Sequence, residues 1–307
     1  LVANIIIIIF LILFNNKNNL SMKSILLKIS TLAITVFLSS SENENIKIAN
    51  QEFQGQATYI SKSTMDLGRW GARMSESQKK QIQANLKNRL EKEYILTFNR
   101  EASTFYEDEK LDAMSGATDS WGKNFTPGFQ YKNVKINSQI QSQEFYGKQF
   151  LVKDKLQTID WTLGKDSKQI GNYTCFKAIA SIPTDDLSWY NFSWAKLRRQ
   201  TATTKVDSTD TTNAIENTVD MTEVEAWYTP QIPISHGPSE YWGLPGLILE
   251  VNVGNTTMLC SKIVLNPEVK DEIIAPEKGK VVTKKEYQAT VTEKMQEFRN
   301  NRGRRRG

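Results

Sequence analysis

The chain reads Gly237-Pro238-Ser239-Glu240-Tyr241-Trp242-Gly243-Leu244-Pro245-Gly246-Leu247-Ile248-Leu249-Glu250 where it enters its clearest strand. Glycine tolerates positive φ, while proline fixes its own φ and keeps the preceding residue extended. The apolar run from Leu247 onward predicts a strand over 247–253. The stretch therefore predicts a rigid corner that delivers the chain into a β-sheet. The structural motif of this corner consists of Gly237, Pro238, Gly243, Pro245 and Gly246.

A β-hairpin is predicted directly after the corner. Gly254-Asn255 is a two-residue turn of the kind that hairpins favour. Pairing about this turn sets Val253 opposite Thr256, Val251 opposite Met258, Leu249 opposite Cys260 and Glu250 opposite Leu259. Because side chains alternate along a strand, one face is expected to be buried. That face carries Leu247, Leu249, Val251, Val253, Met258 and Cys260.

The rest of the chain predicts many short strands and two helices. The strand segments are 53–62, 94–107, 129–136, 143–153, 157–163, 168–182, 222–229, 247–253 and 256–265. Capping boxes at Ser75/Gln78 and Thr283/Glu286 begin helices over 76–93 and 284–299. Short strands without interleaved helices indicate an antiparallel sheet. The predicted fold is mainly β (α+β): a curved antiparallel sheet or half-open barrel with an N-terminal surface helix and a C-terminal helix.

The domain organisation follows from shifts in composition. Residues 22–41 have the charged, apolar and small-residue regions of a signal peptide. Translation is expected to begin at Met22, so residues 1–21 are interpreted as an upstream extension that does not belong to the protein. Residues 42–298 are predicted to form one β-rich domain. Within it, the polar segment 184–221 is predicted to be a mobile excursion from the sheet. Residues 299–307 are predicted to be a disordered basic tail.

The net positive charge of the chain comes from its two ends. The 39 basic residues include Lys17, Lys23 and Lys28, and five arginines lie within 299–307. Without these two ends, residues 42–298 contain 31 basic and 34 acidic residues. This balance removes the main argument for a nucleic-acid partner.

Four blocks of sequence, in order over about 90 residues, resemble the GLPGLI family, a family of exported and mostly uncharacterised proteins of the Bacteroidota. The blocks are Trp161, 170–178 (IGNYTCFKA), 225–233 (EAWYTPQIP) and the corner itself. The resemblance implies a β-rich fold and an exported protein in the periplasm, at the outer membrane or outside the cell. It implies no reaction.

No catalytic residue is assigned. His236 adjoins Ser235, but neighbouring side chains on an extended chain point apart, so a nucleophile–base pair is not favoured. Glu225 and Glu250 could form a carboxylate pair as in glycosidases, although strand glutamates more often pair with a cation. The sequence predicts no metal site and no cofactor.

Large aromatic and apolar residues are the candidate binding groups. Trp227, Tyr228, Trp242 and Leu244 are expected near the mouth of the curved sheet. Trp189 and Trp194 belong to an aromatic run that either caps the open end of the sheet or reaches a membrane interface or a partner.

Cys175 and Cys260 leave two alternatives open: a disulfide, or two buried free thiols. Lys177 lies two residues from Cys175 and could lower the pKa of that thiol.

The functional hypothesis is a non-enzymatic cell-envelope binding protein for a lipid, another apolar ligand or an envelope protein partner. In outline the predicted fold is similar to periplasmic lipoprotein carriers. The alternatives are an accessory protein of an outer-membrane transport system and a hydrolase with a carboxylate pair. Peripheral membrane contact is expected through the basic C-terminal tail.

Overall fold

The computed structural model describes residues 53–64, 73–108, 127–187, 189–190, 192–194, 197 and 220–304. These residues belong to one compact unit that begins at Phe53. The predicted upstream extension and signal peptide lie outside the described residues. So do 198–219 of the predicted excursion and 305–307 of the predicted tail.

The described residues form one curved, open sheet of 12 strands, which confirms the predicted mainly β fold. The strands are β1 (Gln54–Ser63), β2 (Glu91–Asn99), β3 (Ala102–Glu107), β4 (Gln130–Asn133), β5 (Ser138–Phe145), β6 (Lys148–Asp154), β7 (Thr162–Ile170), β8 (Tyr173–Pro183), β9 (Met221–Thr229), β10 (Leu247–Val253), β11 (Thr256–Leu265) and β12 (Lys280–Val282). Their order is β12-β6-β5-β4-β3-β2-β1-β11-β10-β9-β8-β7. β12 runs parallel to β6, and the other neighbours are antiparallel.

Among the described residues, three helices accompany the sheet: α1 (Glu76–Leu90), α2 (Thr184–Leu187) and α3 (Lys284–Arg304). Both predicted capping boxes are present, at Ser75/Gln78 and Thr283/Glu286. α1 is shorter than predicted because Glu91–Glu93 already pair with β1. α3 is longer than predicted, so residues 299–304 are helical where the sequence predicted a disordered tail.

Several segments predicted as single strands are hairpins or loops instead. Segment 94–107 divides into β2 and β3 at a turn where Asn99 Oδ1 accepts from the backbone N–H of Glu101 and Ala102. Segment 143–153 turns at Tyr146, which has a φ of 47°. Segment 168–182 turns at Gly171, with a φ of 56°. Segment 157–163 is irregular until Thr162, where β7 begins.

The hairpin after the corner has the predicted register near its turn, but not the predicted single buried face. Val253 pairs with Thr256, Val251 with Met258 and Glu250 with Leu259. A bulge at Leu249 then shifts the register of β10 against β9. Because an extra residue reverses the alternation of side chains, Leu249 packs in a different cluster from Val251.

In the part of the chain that the structure describes, the core consists of three apolar clusters. The first joins β1 and β2 to the start of β10, through Tyr59, Leu96, Phe98, Leu247 and Leu249 among others. The second holds Ala178, Ala226, Leu244, Ile248 and Val251. The third packs α3 on β6, through Phe150, Val152, Tyr287, Val291 and Met295. The last three lie on one stripe of α3, whereas Phe298, the next residue of that stripe, is 41% exposed.

Candidate functional site

The corner at residues 237–246 is held by a buried lysine from β4. The Lys132 side chain is 1% exposed. Its Nζ donates to the carbonyl oxygens of Gly237 at 2.8 Å, Ser239 at 2.6 Å and Tyr241 at 3.2 Å. An ammonium group has three N–H donors, and each has an acceptor here. This role could not be predicted from the sequence, because a lone lysine on a short strand resembles a surface residue.

Glu240 is the acidic counterpart of Lys132 within the corner. It is 6% exposed. Its carboxylate accepts from Gln130 Nε2 at 3.1 Å, Gln139 Nε2 at 2.8 Å and Trp189 Nε1 at 3.2 Å. Lys284 Nζ, at the start of α3, is 3.3 Å away. A buried carboxylate with this many donors ties β4, β5, α3 and the corner together.

Burial and charge act on the pKa of Lys132 in opposite directions. The net result is a pKa lowered to about 7, because burial lowers it more than the nearby Glu240 charge raises it. The three carbonyl contacts need all three N–H groups, so the geometry is that of the protonated amine. The buried side chains of Lys132 and Glu240 have a structural function: their hydrogen bonds fix the path of the corner.

Two of the residues predicted at the mouth of the sheet are instead part of a filled core. Leu244 is 1% exposed and Tyr228 is 6% exposed. Both pack in the second cluster with Ile248 and Tyr241. An apolar ligand on this face would have to displace these side chains.

Trp242 is held by contacts with the segment before β7. Its Nε1 donates to the Gln157 carbonyl at 2.8 Å, and Trp161 Nε1 donates to the Trp242 carbonyl at 2.8 Å. Trp161 was identified in the sequence as part of the family resemblance. Each indole N–H thus has a carbonyl acceptor, which explains why tryptophan is suited to both positions.

His236 is fully buried beside the corner. Neither imidazole nitrogen has a hydrogen-bond partner, and the ring centroid lies 6.5 Å from that of Phe98. Burial and, to a smaller extent, the Lys132 charge together lower the pKa of His236 to about 3, although the nearby Asn99 backbone opposes the shift. A neutral imidazole next to a cation lacks the orienting carboxylate of a catalytic base.

The stability of the fold is expected to fall as pH drops from about 6.5 towards 3, because unfolding lets His236 bind a proton that the folded state excludes. His236 contributes at most about 1.4 kcal/mol per pH unit to the slope of the free energy of unfolding against pH. Urea denaturation of the wild type and His236→Phe at a series of pH values measures it. The variant should have a shallower slope, and equal slopes would contradict the assignment.

A polar cluster surrounds Trp227. Its indole Nε1 donates to Glu225 Oε1 at 2.8 Å, and Lys168 Nζ lies 4.2 Å from the ring centroid. Lys177 Nζ is 2.6 Å from Glu225 Oε2, and Lys168 Nζ is 2.7 Å from Glu250 Oε2. Trp227 itself is buried, with 8% of its surface exposed, whereas the charged side chains around it are partly open to solvent.

The structure brings the two predicted carboxylates, Glu225 and Glu250, together. Asn252 Nδ2 donates to Glu250 Oε1 at 2.8 Å and to Glu225 Oε1 at 3.5 Å. Hydrogen bonds from Lys177 and then Trp227 lower the pKa of Glu225. A general acid needs a raised pKa instead, so the arrangement is that of two neutralised ion pairs.

Replacing Lys177 by methionine should raise the pKa of Glu225, because its largest stabilising hydrogen bond is lost. The carboxylate can be followed by 13C NMR titration. The control is Lys62→Met, which removes the exposed Lys62–Glu91 pair and should leave Glu225 unchanged. An unaltered Glu225 titration in Lys177→Met would contradict the pairing.

Trp227 lies in a row of paired residues that crosses five strands. Trp227 pairs with Lys177 on one side and Glu250 on the other. Glu250 pairs with Leu259, which pairs with Ile60. We refer to Ile60, Leu259, Glu250, Trp227 and Lys177 as the Trp227 row. Its apolar members, Ile60 and Leu259, are 38% and 40% exposed.

The aromatic run near 189–194 caps the sheet at Trp189. Its ring is 2% exposed and packs in the third cluster, with centroids 5.7 Å from Tyr287. Trp194 is half-buried, and the Arg299 guanidinium carbon lies 5.5 Å from its ring centroid. Trp189 therefore fills the core, and Trp194 packs half-buried against the edge of the same cluster.

Both cysteines are free thiols, so the predicted alternative of a disulfide is not formed. Cys175 and Cys260 are buried in the same cluster. Burial raises the pKa of Cys175 to about 11 and that of Cys260 to about 12. The cation that acts on Cys175 is Lys168 rather than the predicted Lys177, and it does not outweigh burial.

Neither thiol is expected to react with Ellman's reagent at pH 8 in the folded protein, because the thiolate is disfavoured and inaccessible. Unfolding in guanidinium should release two reactive thiols per chain, the number of cysteines in the sequence. No reactive thiol after unfolding without reductant would indicate a disulfide.

Within the described ranges, no cluster of three or more His, Cys, Asp or Glu side chains could hold a metal ion. None of the helices in the described part of the chain is long and apolar enough to cross a lipid bilayer.

Part of the chain is similar to an uncharacterised family. Residues 161–250 match the family described as "Protein of unknown function (Porph_ging)". No curated protein matches the chain. PNGF-II in its C2 crystal form is 12% identical, with a TM-score of 0.45 over 77% of this chain and 32% of that one. Its P21 form is 13% identical, with a TM-score of 0.40 over 75% and 31%. The chain thus spans about a third of the length of PNGF-II.

Proposed function

We propose that this chain is a non-enzymatic binding protein of the cell envelope that contacts a protein partner through the Trp227 row. The observation that carries this proposal is the combination of exposed Ile60 and Leu259 with the charged cluster at Trp227. Protein interfaces commonly have apolar contacts and tryptophan anchors, with charged residues at the rim. An accessory protein of an outer-membrane transport system would belong to the same class.

The packing favours a partner at the surface over an apolar ligand held within the sheet. Leu244 and Tyr228 would line the space for such a ligand, and both are already buried by their own chain. Removing a large side chain from a close-packed core leaves contacts unmade, which opposes ligand entry.

The charges also argue against the hydrolase alternative. Each of Glu225 and Glu250 has a lysine nitrogen within 2.7 Å. A retaining or inverting glycosidase needs one carboxyl group that holds a proton near neutral pH. The lowered pKa of Glu225 works against that role.

The proposal is tested by site-specific crosslinking in the cells that make the protein. A photoreactive p-benzoylphenylalanine replaces Leu259 in one strain and Ile136 in a control strain. Ile136 is an exposed apolar residue outside the row, with 67% of its surface open. We expect a discrete protein adduct from position 259 that is absent from position 136.

Two results would overturn the proposal. One is an identical adduct pattern from both positions, since that would indicate non-specific collisions. The other is a stoichiometric lipid in gently purified protein, detected by native mass spectrometry, together with no adduct at position 259. That second result would favour the apolar-ligand hypothesis.

A charge exchange that combines Lys168→Glu with Glu250→Lys keeps the ion pair and should weaken the adduct without unfolding the protein.

Export is part of the same proposal, and it depends on the charged and apolar segment at 22–41. N-terminal sequencing of the protein from fractionated cells tests it. A start within about two residues of Ser41 in the envelope or medium fraction is expected. A cytoplasmic protein that retains Met22 would contradict it.

A further inference from the structure

The last two described elements, β12 and α3, join the sheet at one of its edges. β12 is the final strand in the sheet order, and its three residues, Lys280–Val282, pair with Phe150–Val152 of β6. On its other side β12 has no neighbour among the described strands. β6 also pairs with β5, so removal of β12 and α3 would leave the pairing of every other described strand intact. We refer to β12 and α3 together as the C-terminal strap.

A long irregular segment, residues 266–279, connects β11 to the C-terminal strap. The segment contains no helix or strand, and most of its residues are exposed. Gln54 and Gln56 of β1 donate to Asp271 at 2.6 and 2.9 Å, so the first part of the segment is held to the sheet. Gly279 directly precedes β12 with a φ of 133°, which glycine adopts without steric cost. Long loops of this kind are usually functional, and a glycine at the boundary of an element suits a hinge.

An apolar stripe on α3 holds the C-terminal strap closed. Tyr287, Val291 and Met295 are 0%, 3% and 1% exposed, and the stripe ends at Phe298, which is 41% exposed. Burial of three large side chains makes the closed arrangement the dominant one. The apolar side chains that this stripe covers are Phe145, Phe150, Val152 and Trp189.

Lys284 is the polar link between the C-terminal strap and the corner. Its Nζ lies 3.3 Å from Glu240 Oε2, and the two side chains are 19% and 6% exposed. The same Nζ lies 5.3 Å from the Trp189 ring centroid, and the backbone N–H of Lys284 donates to Asp154 Oδ2 at 2.7 Å. Because the ion pair is largely shielded from water, its attraction is stronger than that of an exposed pair. Loss of one partner would leave the other charge without its counterion in a shielded site.

We propose that the C-terminal strap opens and closes as a unit about residues 266–279, with the Lys284–Glu240 ion pair as its latch. Opening breaks one three-residue strand pairing and one apolar stripe, whereas global unfolding breaks the pairing of the whole sheet. Local opening therefore needs less free energy than global unfolding. The open strap uncovers the apolar side chains around Trp189, and the closed strap fills the space over them, so the strap controls access to this part of the sheet. The inference goes beyond the binding of a protein partner and uses no residue of the Trp227 row.

Thiol labelling of the purified full chain tests whether the C-terminal strap opens separately. Val291→Cys places a thiol on the buried face of α3, and Val224→Cys makes the same substitution at a buried position of β9, inside the sheet. The native Cys175 and Cys260 are buried on inner strands and report the opening of the sheet itself. Labelling uses iodoacetamide under native conditions, and each rate is divided by the rate of the same thiol in guanidinium. We expect the thiol at 291 to be labelled at least about tenfold faster than those at 175, 224 and 260, and equal rates would overturn the proposal.

A second reporter shows whether the two elements of the strap move together. Val282 on β12 is 6% exposed. Val282→Cys should be labelled within about twofold of the rate of Val291→Cys, because one opening exposes both positions. Labelling at 282 as slow as at 224 would show that α3 frays alone, which would contradict the opening of the strap as a unit.

The latch is tested in the Val291→Cys protein. Lys284→Met should raise the labelling rate at 291 about fivefold and leave the rates of Cys175 and Cys260 unchanged, because the closed strap loses its ion pair with the corner. The control is Lys294→Met, which removes an exposed ion pair with Glu297 within α3 and should not change the rate. Equal rates in these two variants would show that Lys284 is not the latch. Labelling of the purified chain involves no partner, so this proposal and the proposed function fail independently.

Discussion

Replacement of Lys132 by methionine is expected to lower the free energy of unfolding by about 3–5 kcal/mol. The methionine would leave the carbonyls of Gly237, Ser239 and Tyr241 without their donor in a site that is closed to water. It would also leave the carboxylate of Glu240 without the charge of a nearby buried cation. Urea denaturation at neutral pH measures the loss.

Stabilisation by Lys132→Met would also have a physical explanation. A buried charge costs solvation free energy, and replacing such a group by an apolar one can stabilise a protein when its contacts are poor. We expect destabilisation because all three N–H donors of Lys132 have acceptors within 3.2 Å. The control is Lys135→Met, which removes an exposed ion pair with Glu101 and should change stability by no more than about 0.5 kcal/mol. A Lys132→Met protein as stable as this control would show that the lysine does not hold the corner.

Local signals in the sequence predicted the parts of the fold that depend on neighbouring residues. Ser75 with Gln78 and Thr283 with Glu286 begin helices because each pair satisfies its own backbone donors. Gly254-Asn255 set the register of the hairpin near the turn. Such contacts span a few residues, and their chemistry can be recognised without knowing the rest of the fold.

Contacts between distant segments could not be predicted in this way. Lys132 and the Gly237 carbonyl are 105 residues apart, and Gln130 and Glu240 are 110 residues apart. Nothing near Lys132 in the sequence distinguishes a buried clamp from a surface lysine. The bulge at Leu249 was missed for a related reason: Leu247, Ile248 and Leu249 are all apolar, so a shift of one residue there leaves the apolar pattern unbroken. The cluster of Glu225 and Glu250 was named from the sequence, but its two lysines came from strands that only the register brings together.

Replacement of Gly246 by alanine is expected to destabilise the protein by about 3 kcal/mol or more. A Cβ on this residue would lie 2.2 Å from the Thr229 carbonyl oxygen, 2.6 Å from the Thr229 carbonyl carbon and 2.9 Å from the Pro230 nitrogen. All three are backbone atoms, so no side-chain rotation can relieve the contact. The sequence suggested positive φ as the reason for this glycine, but the structure has positive φ at Gly243, at 93°, and a close backbone approach at Gly246.

Substitutions at two other glycines distinguish the cost of positive φ from the cost of a close backbone approach. Gly243→Ala meets only Trp161 atoms at 3.9 Å or beyond, so its expected cost of about 1–3 kcal/mol comes from backbone strain. Gly254 has a φ of 53° with nothing within 4 Å, and Gly254→Asn should cost no more than about 0.5 kcal/mol because asparagine tolerates this conformation. The expected order of destabilisation in urea is therefore Gly246→Ala, then Gly243→Ala, then Gly254→Asn. If Gly246→Ala instead cost no more stability than Gly254→Asn, β10 could move away from Thr229 without destabilising the protein. The corner would then not be the close-packed junction that sets the position of the strand.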